Sequence, residues 1–212
     1  MRPPRDCSLY LVTDRALCGA RPLESVVEAA VRGGVTAVQL RDKHCSTRDF
    51  VETGRVLKIL LGTLRVPLIV NDRVDVALEI GADGVHLGQS DMDYHAARGL
   101  LGAHAIIGLS VETMEQAEQA SGWDVDYLGV GPIFATATKP DAAPPWGLER
   151  LAALRQVSRH VLVAIGGIDA TNAGKVVAAG ADGIAVVSAI CATRDPEQAA
   201  RELRAAMTLR RA

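Results

Sequence analysis

Large rings are scarce in this 212-residue chain: aromatics make up 3% of it, against 49% hydrophobic residues overall. Its core must therefore rest on Ala, Val, Leu and Ile, and platforms for stacked nucleic-acid bases are excluded. A chain this apolar also buries enough surface to escape disorder. A surplus of positive charge is missing too. Lys plus Arg number 23 against 25 Asp plus Glu, a formal charge of -2, so the chain lacks the basic footprint of a nucleic-acid or acidic-membrane binder. Any bound anion must meet a local cluster of cations. Cys7, Cys18, Cys45 and Cys191 form no C-x-x-C pair, and no His stands at zinc-ligand spacing. That argues against a metal knuckle or a dense disulfide framework and for reduced, cytoplasmic thiols. The longest late apolar run, Ile184 to Ala192, is less than half a membrane span, and the one after Asp6 is too brief for a signal-peptide core. No linker of Pro, Ser and Gly and no charge block divides the chain, so one domain is expected over residues 1–212.

What is present is a repeat. Short apolar, largely β-branched runs read as about eight strands: Leu9 to Val12, Val35 to Leu40, Leu68 to Val70, Gly84 to Leu87, Ala105 to Leu109, Tyr127 to Val130, Val161 to Ile165 and Gly183 to Val187. Between them lie stretches with helical spacing, such as Leu23 to Arg32, Asp49 to Leu61, Thr113 to Ser121, Leu148 to Val157 and Thr171 to Ala179. The joints before strands resemble one another, as in Gly33-Gly34-Val35, Gly81-Ala82-Asp83-Gly84 and Gly180-Ala181-Asp182-Gly183, each offering a glycine for a left-handed helix end. Strict alternation of this kind calls for a parallel sheet covered by helices. Eight units in this length fit a compact (β/α)8 TIM barrel. A doubly wound sheet should carry a Gly-rich loop after its first strand, and Leu11-Val12-Thr13-Asp14-Arg15 is not one.

In such a barrel the chemistry gathers at the carboxyl ends of the strands. Gln39, Arg41 and Lys43 follow the second, two apart and on one side of an extended chain. Asn71-Asp72 ends the third, and Gly88-Gln89-Ser90-Asp91 follows the fourth. Either aspartate alone reads best as a helix cap. Together, beside cations, they suit Mg²⁺ held by two carboxylates and phosphate oxygens. His86 reads as a packed core or rim residue. Ser110 ends the fifth strand, and the sixth runs into a long loop from Gly131 through Thr136, Thr138 and Lys139. Gly166-Gly167-Ile168 and Val187-Ser188 follow the last two strands, where many barrels bind phosphate through backbone N–H groups. A helix-entry turn would explain the Gly-Gly pair equally well.

From Leu9 to Ile190 these residues resemble the thiamine-phosphate synthase family. The resemblance is carried by Gln39-Leu40-Arg41-Asp42-Lys43, Val70-Asn71-Asp72-Arg73, His86-Leu87-Gly88-Gln89 with Asp91, Gly108-Leu109-Ser110, Gly131-Pro132-Ile133-Phe134 through Thr136-Ala137-Thr138-Lys139, Gly166-Gly167-Ile168 and Val187-Ser188. Each string is weak alone; their order at successive strand ends is specific. The resemblance implies a transferase joining an aminopyrimidine methanol diphosphate to hydroxyethylthiazole phosphate, with pyrophosphate released. It implies that Gln39, Arg41, Lys43, Asn71, Ser110 and Lys139 hold the pyrimidine diphosphate, with Leu40 and Asp42 in the same substrate-binding segment. Arg41, Lys43, Ser110 and Lys139 would be catalytic. Asp72 and Asp91 would bind Mg²⁺, and Thr136, Ala137, Thr138, Gly167, Val187 and Ser188 would line the thiazole phosphate. The family often has Pro where Ala135 stands.

The chemistry so implied needs no base-activated nucleophile, and no Ser-His-Asp or Cys-His constellation is evident at the strand ends. Its partners would be phosphorylated small molecules, with no nucleic acid and no membrane; a homo-oligomer is left open. A rival isomerase of this fold, which tautomerises a thiazole carboxylate phosphate, could dispense with Arg41, Lys43, Asp91 and Lys139. A second rival is a non-catalytic barrel that binds a phosphorylated metabolite.

Overall fold

The computed structural model describes residues 6–136, 138 and 143–208. Eight parallel strands, β1 (Leu9–Val12), β2 (Ala37–Leu40), β3 (Leu68–Asn71), β4 (Gly84–Leu87), β5 (Ile106–Val111), β6 (Tyr127–Val130), β7 (Leu162–Ile165) and β8 (Gly183–Val186), close in sequence order with β8 paired to β1. The helices that follow them are α1 (Leu23–Arg32), α2 (Thr47–Leu64), α3 (Val74–Ile80), α4 (Tyr94–Leu101), α5 (Met114–Gln119), α6 (Gly147–Val157), α7 (Ala173–Ala178), α8 (Ser188–Cys191) and α9 (Pro196–Thr208). The expected (β/α)8 barrel is the architecture found. None of these helices is long and apolar enough to cross a membrane.

Strand alternation divides the apolar residues between two cores. Leu9, Leu11, Val38, Leu40, Val85 and Leu87 face outward and pack with the helices. Tyr10, Val12, Ala37, Ile69, Ile106, Tyr127, Val163 and Ala185 fill the interior. The same alternation points Gln39, Asn71, His86 and Ser110 inward at the carboxyl ends of their strands.

The similar joints have a common task at the opposite end of the barrel. Asp83 donates its backbone N–H to Leu68 O at 2.9 Å and accepts from Leu68 N on its carboxylate at 2.9 Å. Asp126 makes the same reciprocal pair with Ile107, and Asp182 with Leu162. Thr36 does so with Leu9 through its hydroxyl. Each even-numbered strand is thereby stitched to the odd one before it. Three of the carboxylates also hold a cation: Lys58 on Asp83, Arg98 on Asp126 and Arg155 on Asp182. Of the expected glycine caps, Gly81 takes the left-handed conformation, at φ 61°. The first and third joints also carry a glycine of positive φ, Gly34 and Gly180, each one residue beyond the helix cap itself, Gly33 and Ala179.

None of the four cysteines is in a disulfide, and Cys7, Cys18 and Cys191 are buried. They act as small apolar residues. Changing all four to Ala should preserve turnover while lowering the melting temperature by several degrees, as buried sulfur is replaced by space. A folded but inactive variant would reveal a catalytic thiol.

Candidate active site

The mouth of the barrel is built on a brace that the sequence did not advertise. Thr13, fully buried just past β1, donates its N–H to Gln39 O at 2.9 Å and accepts Arg41 N on its hydroxyl at 3.0 Å. This holds the end of β2 where Gln39 enters the interior and Arg41 emerges. Leu40 points the other way, into the outer core, so only its backbone is available to a substrate. Asp42 is occupied within its loop. Its carboxylate accepts His44 N and Cys45 N at 3.1 and 3.2 Å and pairs with Arg15 at 3.6 Å, so it shapes the segment that carries exposed Lys43.

Neither candidate metal-binding aspartate caps a helix. The cap of α4 is Asp93, which accepts His95 N and Ala96 N at 2.9 and 3.2 Å. Position 73 precedes α3 and makes no side-chain cap. Asp91 instead turns back to accept Gly88 N at 2.6 Å. Asp72 sits in the left-handed region at φ 63°, a conformation that costs a non-glycine residue about 1–2 kcal/mol, and its N–H bonds to His86 O at 2.9 Å. Burial first, and then the facing Asp91 carboxyl, push its carboxyl up to about 6 against the downward pull of Lys43 and Arg41. Two carboxylates and two cations therefore converge at adjacent strand ends. No group of three or more His, Cys, Asp or Glu able to hold a metal occurs among the described residues. The donor set is two hard oxygen ligands with the remaining positions open, which fits Mg²⁺ shared with a phosphate and does not fit zinc.

Asn71 is half-buried at the end of β3. Ser110, half-buried at the inward face of β5, lies 2.8 Å from His86 Nε2 through its hydroxyl. A Ser-His contact therefore exists at the strand ends, without the aspartate of a Ser-His-Asp constellation. The other imidazole nitrogen faces the Tyr127 hydroxyl at 2.9 Å rather than a carboxylate, so the geometry is not that of a hydrolase triad. His86 is a packed, half-buried residue at the rim, within the expected core-or-rim reading, with both ring nitrogens engaged.

The loops after β7 and β8 take the forms their glycine and hydroxyl residues allow. Gly166 and Gly167 have φ of 100° and 63°, and α7 begins only at Ala173. The pair is therefore not a helix-entry turn. It brings the chain against the β6 loop, with Phe134 N bonded to Gly166 O at 3.0 Å and Ile133 N to Ile165 O at 2.8 Å. Val187 and Ser188 lead into the short helix α8. The long loop after β6 is tied down at its far end, where Trp146 N bonds Pro132 O, Gly147 N bonds Ile133 O, and the indole donates to Glu112 O. Thr136 and Thr138 lie within it, the Thr136 hydroxyl accepting Thr138 N at 3.2 Å. Ala137 and Lys139 lie outside the described residues.

The whole strand series from β1 to α8 matches the family described as thiamine monophosphate synthase, over residues 9–190. The chain belongs to this family. It is 57% identical over 196 residues to a thiamine-phosphate synthase of Albidiferax ferrireducens, covering 92% of this chain and 90% of that one. It is 53% identical to one of Chloroflexus aurantiacus, covering 96% and 94%. Among solved structures, a thiamine phosphate pyrophosphorylase from Pyrococcus furiosus superposes with a TM-score of 0.88 at 40% identity, covering 97% of each chain.

Proposed function

We infer that this enzyme is a transferase that forms thiamine phosphate from hydroxymethylpyrimidine diphosphate and hydroxyethylthiazole phosphate. The observation that carries this reading is the convergence of Arg41, Lys43, Asp72 and Asp91, with neither carboxylate used as a cap. A rival barrel that only tautomerises a thiazole phosphate has no leaving diphosphate and no need of this cluster.

In the reaction the bond from the pyrimidine methylene to the diphosphate oxygen breaks, and its electron pair leaves with the diphosphate. The thiazole nitrogen then gives its lone pair to the resulting cation to form the new carbon–nitrogen bond. By the family resemblance Arg41, Lys43 and Lys139 would meet the departing trianion. They act by electrostatic preorganisation, which needs no proton transfer. Asp72 and Asp91 would hold Mg²⁺, which supplies charge neutralisation to the leaving group when bound. Gln39 and Asn71 fix the pyrimidine side, and Gly167, Val187 and Ser188 offer backbone N–H groups to the thiazole phosphate.

The test is direct: the two substrates, Mg²⁺ and protein are mixed and thiamine phosphate is sought. Its absence, with the protein folded, would sink the reading. Lys43→Ala and Lys139→Ala should each lower kcat by about a hundredfold, the usual cost of losing one preorganised charge stabiliser. The KM for thiazole phosphate should stay near the parent's. A rise in that KM with kcat intact would move these cations to the other substrate.

A further inference from the structure

Two of the chain's three tyrosines lie inside the barrel, where an unpartnered hydroxyl would cost about 1–3 kcal/mol. They belong to an unbroken hydrogen-bonded chain. Gln39 Nε2 is 3.2 Å from the Tyr10 hydroxyl, which is 2.8 Å from that of Tyr127. Tyr127 reaches His86 Nδ1 at 2.9 Å, and His86 Nε2 reaches Ser110 Oγ at 2.8 Å. Five side chains from β2, β1, β6, β4 and β5 thus cross the interior, beginning and ending on residues placed in the pyrimidine diphosphate site. Room for them comes from two missing side chains. A Cβ on Gly108 would stand 2.1 Å from the Tyr127 ring, and one on Gly129 would stand 2.8 Å from the His86 ring. The Tyr127 and His86 rings stack with centroids 5.5 Å apart.

The chain has a direction. An amide nitrogen only donates, so Tyr10 accepts from Gln39 and gives its one proton to Tyr127. Tyr127 in turn donates to His86 Nδ1. A ring that accepts on Nδ1 carries its one proton on Nε2. Nε2 donates to Ser110, and the serine's own hydrogen is left for the mouth. Burial raises both tyrosines above their ordinary value, so the chain keeps its protons at neutral pH. Turning the Gln39 amide over would reverse every bond. Ser110 would then spend its hydrogen on His86.

We propose that Tyr10, Tyr127 and His86 are positioning residues that couple the orientation of the Gln39 amide to the donor state of the Ser110 hydroxyl, so that an amino-substituted ring prepares the serine for an anionic leaving group. This rests on the reading of Gln39 and Ser110 as pyrimidine diphosphate residues. Gln39 is 4% exposed, deeper than Arg41 and Lys43, so the uncharged ring falls to it and the diphosphate to the cations. With Nε2 held by Tyr10, Gln39 presents Oε1, an acceptor matched to an amino group. Diphosphate oxygens only accept, and in this sense of the chain the Ser110 hydroxyl has no acceptor among the described residues. A ring presenting a carbonyl to Gln39 would turn the amide and remove that donor.

The experiment is nitrogen-15 NMR of the histidine rings in the parent protein, with His86 identified by loss of its signals in His86→Asn, together with kinetics of Tyr127→Phe. The proposal expects His86 as the Nε2–H tautomer in the parent. In Tyr127→Phe it expects mixed tautomers and a kcat lowered about tenfold, with the KM for thiazole phosphate unchanged. An Nδ1–H tautomer in the parent overturns it, whether or not the variant folds. So does a Tyr127→Phe variant with parental kcat. Should the parent make no thiamine phosphate at all, the underlying reading of the site fails. Should Ser110→Ala be impaired while Tyr127→Phe is not, only the coupling fails.

Discussion

Gly167→Val will lower kcat/KM for thiazole phosphate by about a hundredfold or more, the scale of loss when binding groups are misplaced by an ångström. Gly167 stands at φ 63°, where a β-branched residue is strained by more than the roughly 1–2 kcal/mol an ordinary L-residue incurs. The added Cβ would also lie 2.6 Å from Ala135 O and 2.8 Å from Phe134 Cβ. Backbone at that distance cannot give way as a flexible side chain could. The variant must therefore push the β6 loop outward, carrying Thr136 with it, or withdraw the β7 loop from the phosphate. Both movements damage the same subsite, and neither touches Arg41 or Lys43. Burst or single-turnover measurements should show diphosphate release less affected than the attack of the thiazole. An unchanged KM for the thiazole phosphate would place its phosphate elsewhere.

The alternation of strands and helices was legible because parallel strands buried on both faces read as apolar runs. The bounds of β1, β4, β6 and α1 agree with the sequence reading residue for residue. Period-two reasoning also sends Gln39 inward and Leu40 outward; a motif string taken whole, as Gln39 through Lys43, hides that difference. The helix caps were not legible, since Asp91 and Asp93 are both plausible by residue type and only geometry shows that Asp93 does the capping. Tyr10 and Tyr127 were missed for another reason. They are 117 residues apart and look like ordinary core rings; only barrel closure brings their hydroxyls together. Gly108 and Gly129 carried a faint signal, because glycine inside a strand marks a close approach.

Asp72→Asn should raise stability and nearly abolish turnover, two effects that a helix cap could not combine. The folded carboxyl of Asp72 titrates near 6 instead of 3.8, so the fold binds its proton more tightly than the unfolded chain does. The ionised group therefore opposes folding. That cost is absent below about pH 4, grows as pH rises through 6 and is complete above it. Replacing it with Asn, which accepts the left-handed conformation as readily, removes the cost. The metal-free protein should then gain about 1 kcal/mol at pH 7, after allowance for solvent screening of a half-exposed group, and nothing at pH 4. Asp91→Asn keeps an oxygen for Gly88 N and should also fold normally. With Mg²⁺ present the order inverts. The parent gains stability as the cation binds, by an amount that grows with its concentration, whereas each variant lacks half of the carboxylate pair and should gain little. Both should need far more Mg²⁺ and turn over about a hundredfold more slowly at saturation, because the departing diphosphate is then less well neutralised. Thermal unfolding with and without Mg²⁺ at pH 7 and pH 4, beside Mg²⁺ titrations of activity, reads all of this. If both variants keep the parent's Mg²⁺ dependence and rate, the two aspartates do not bind the metal.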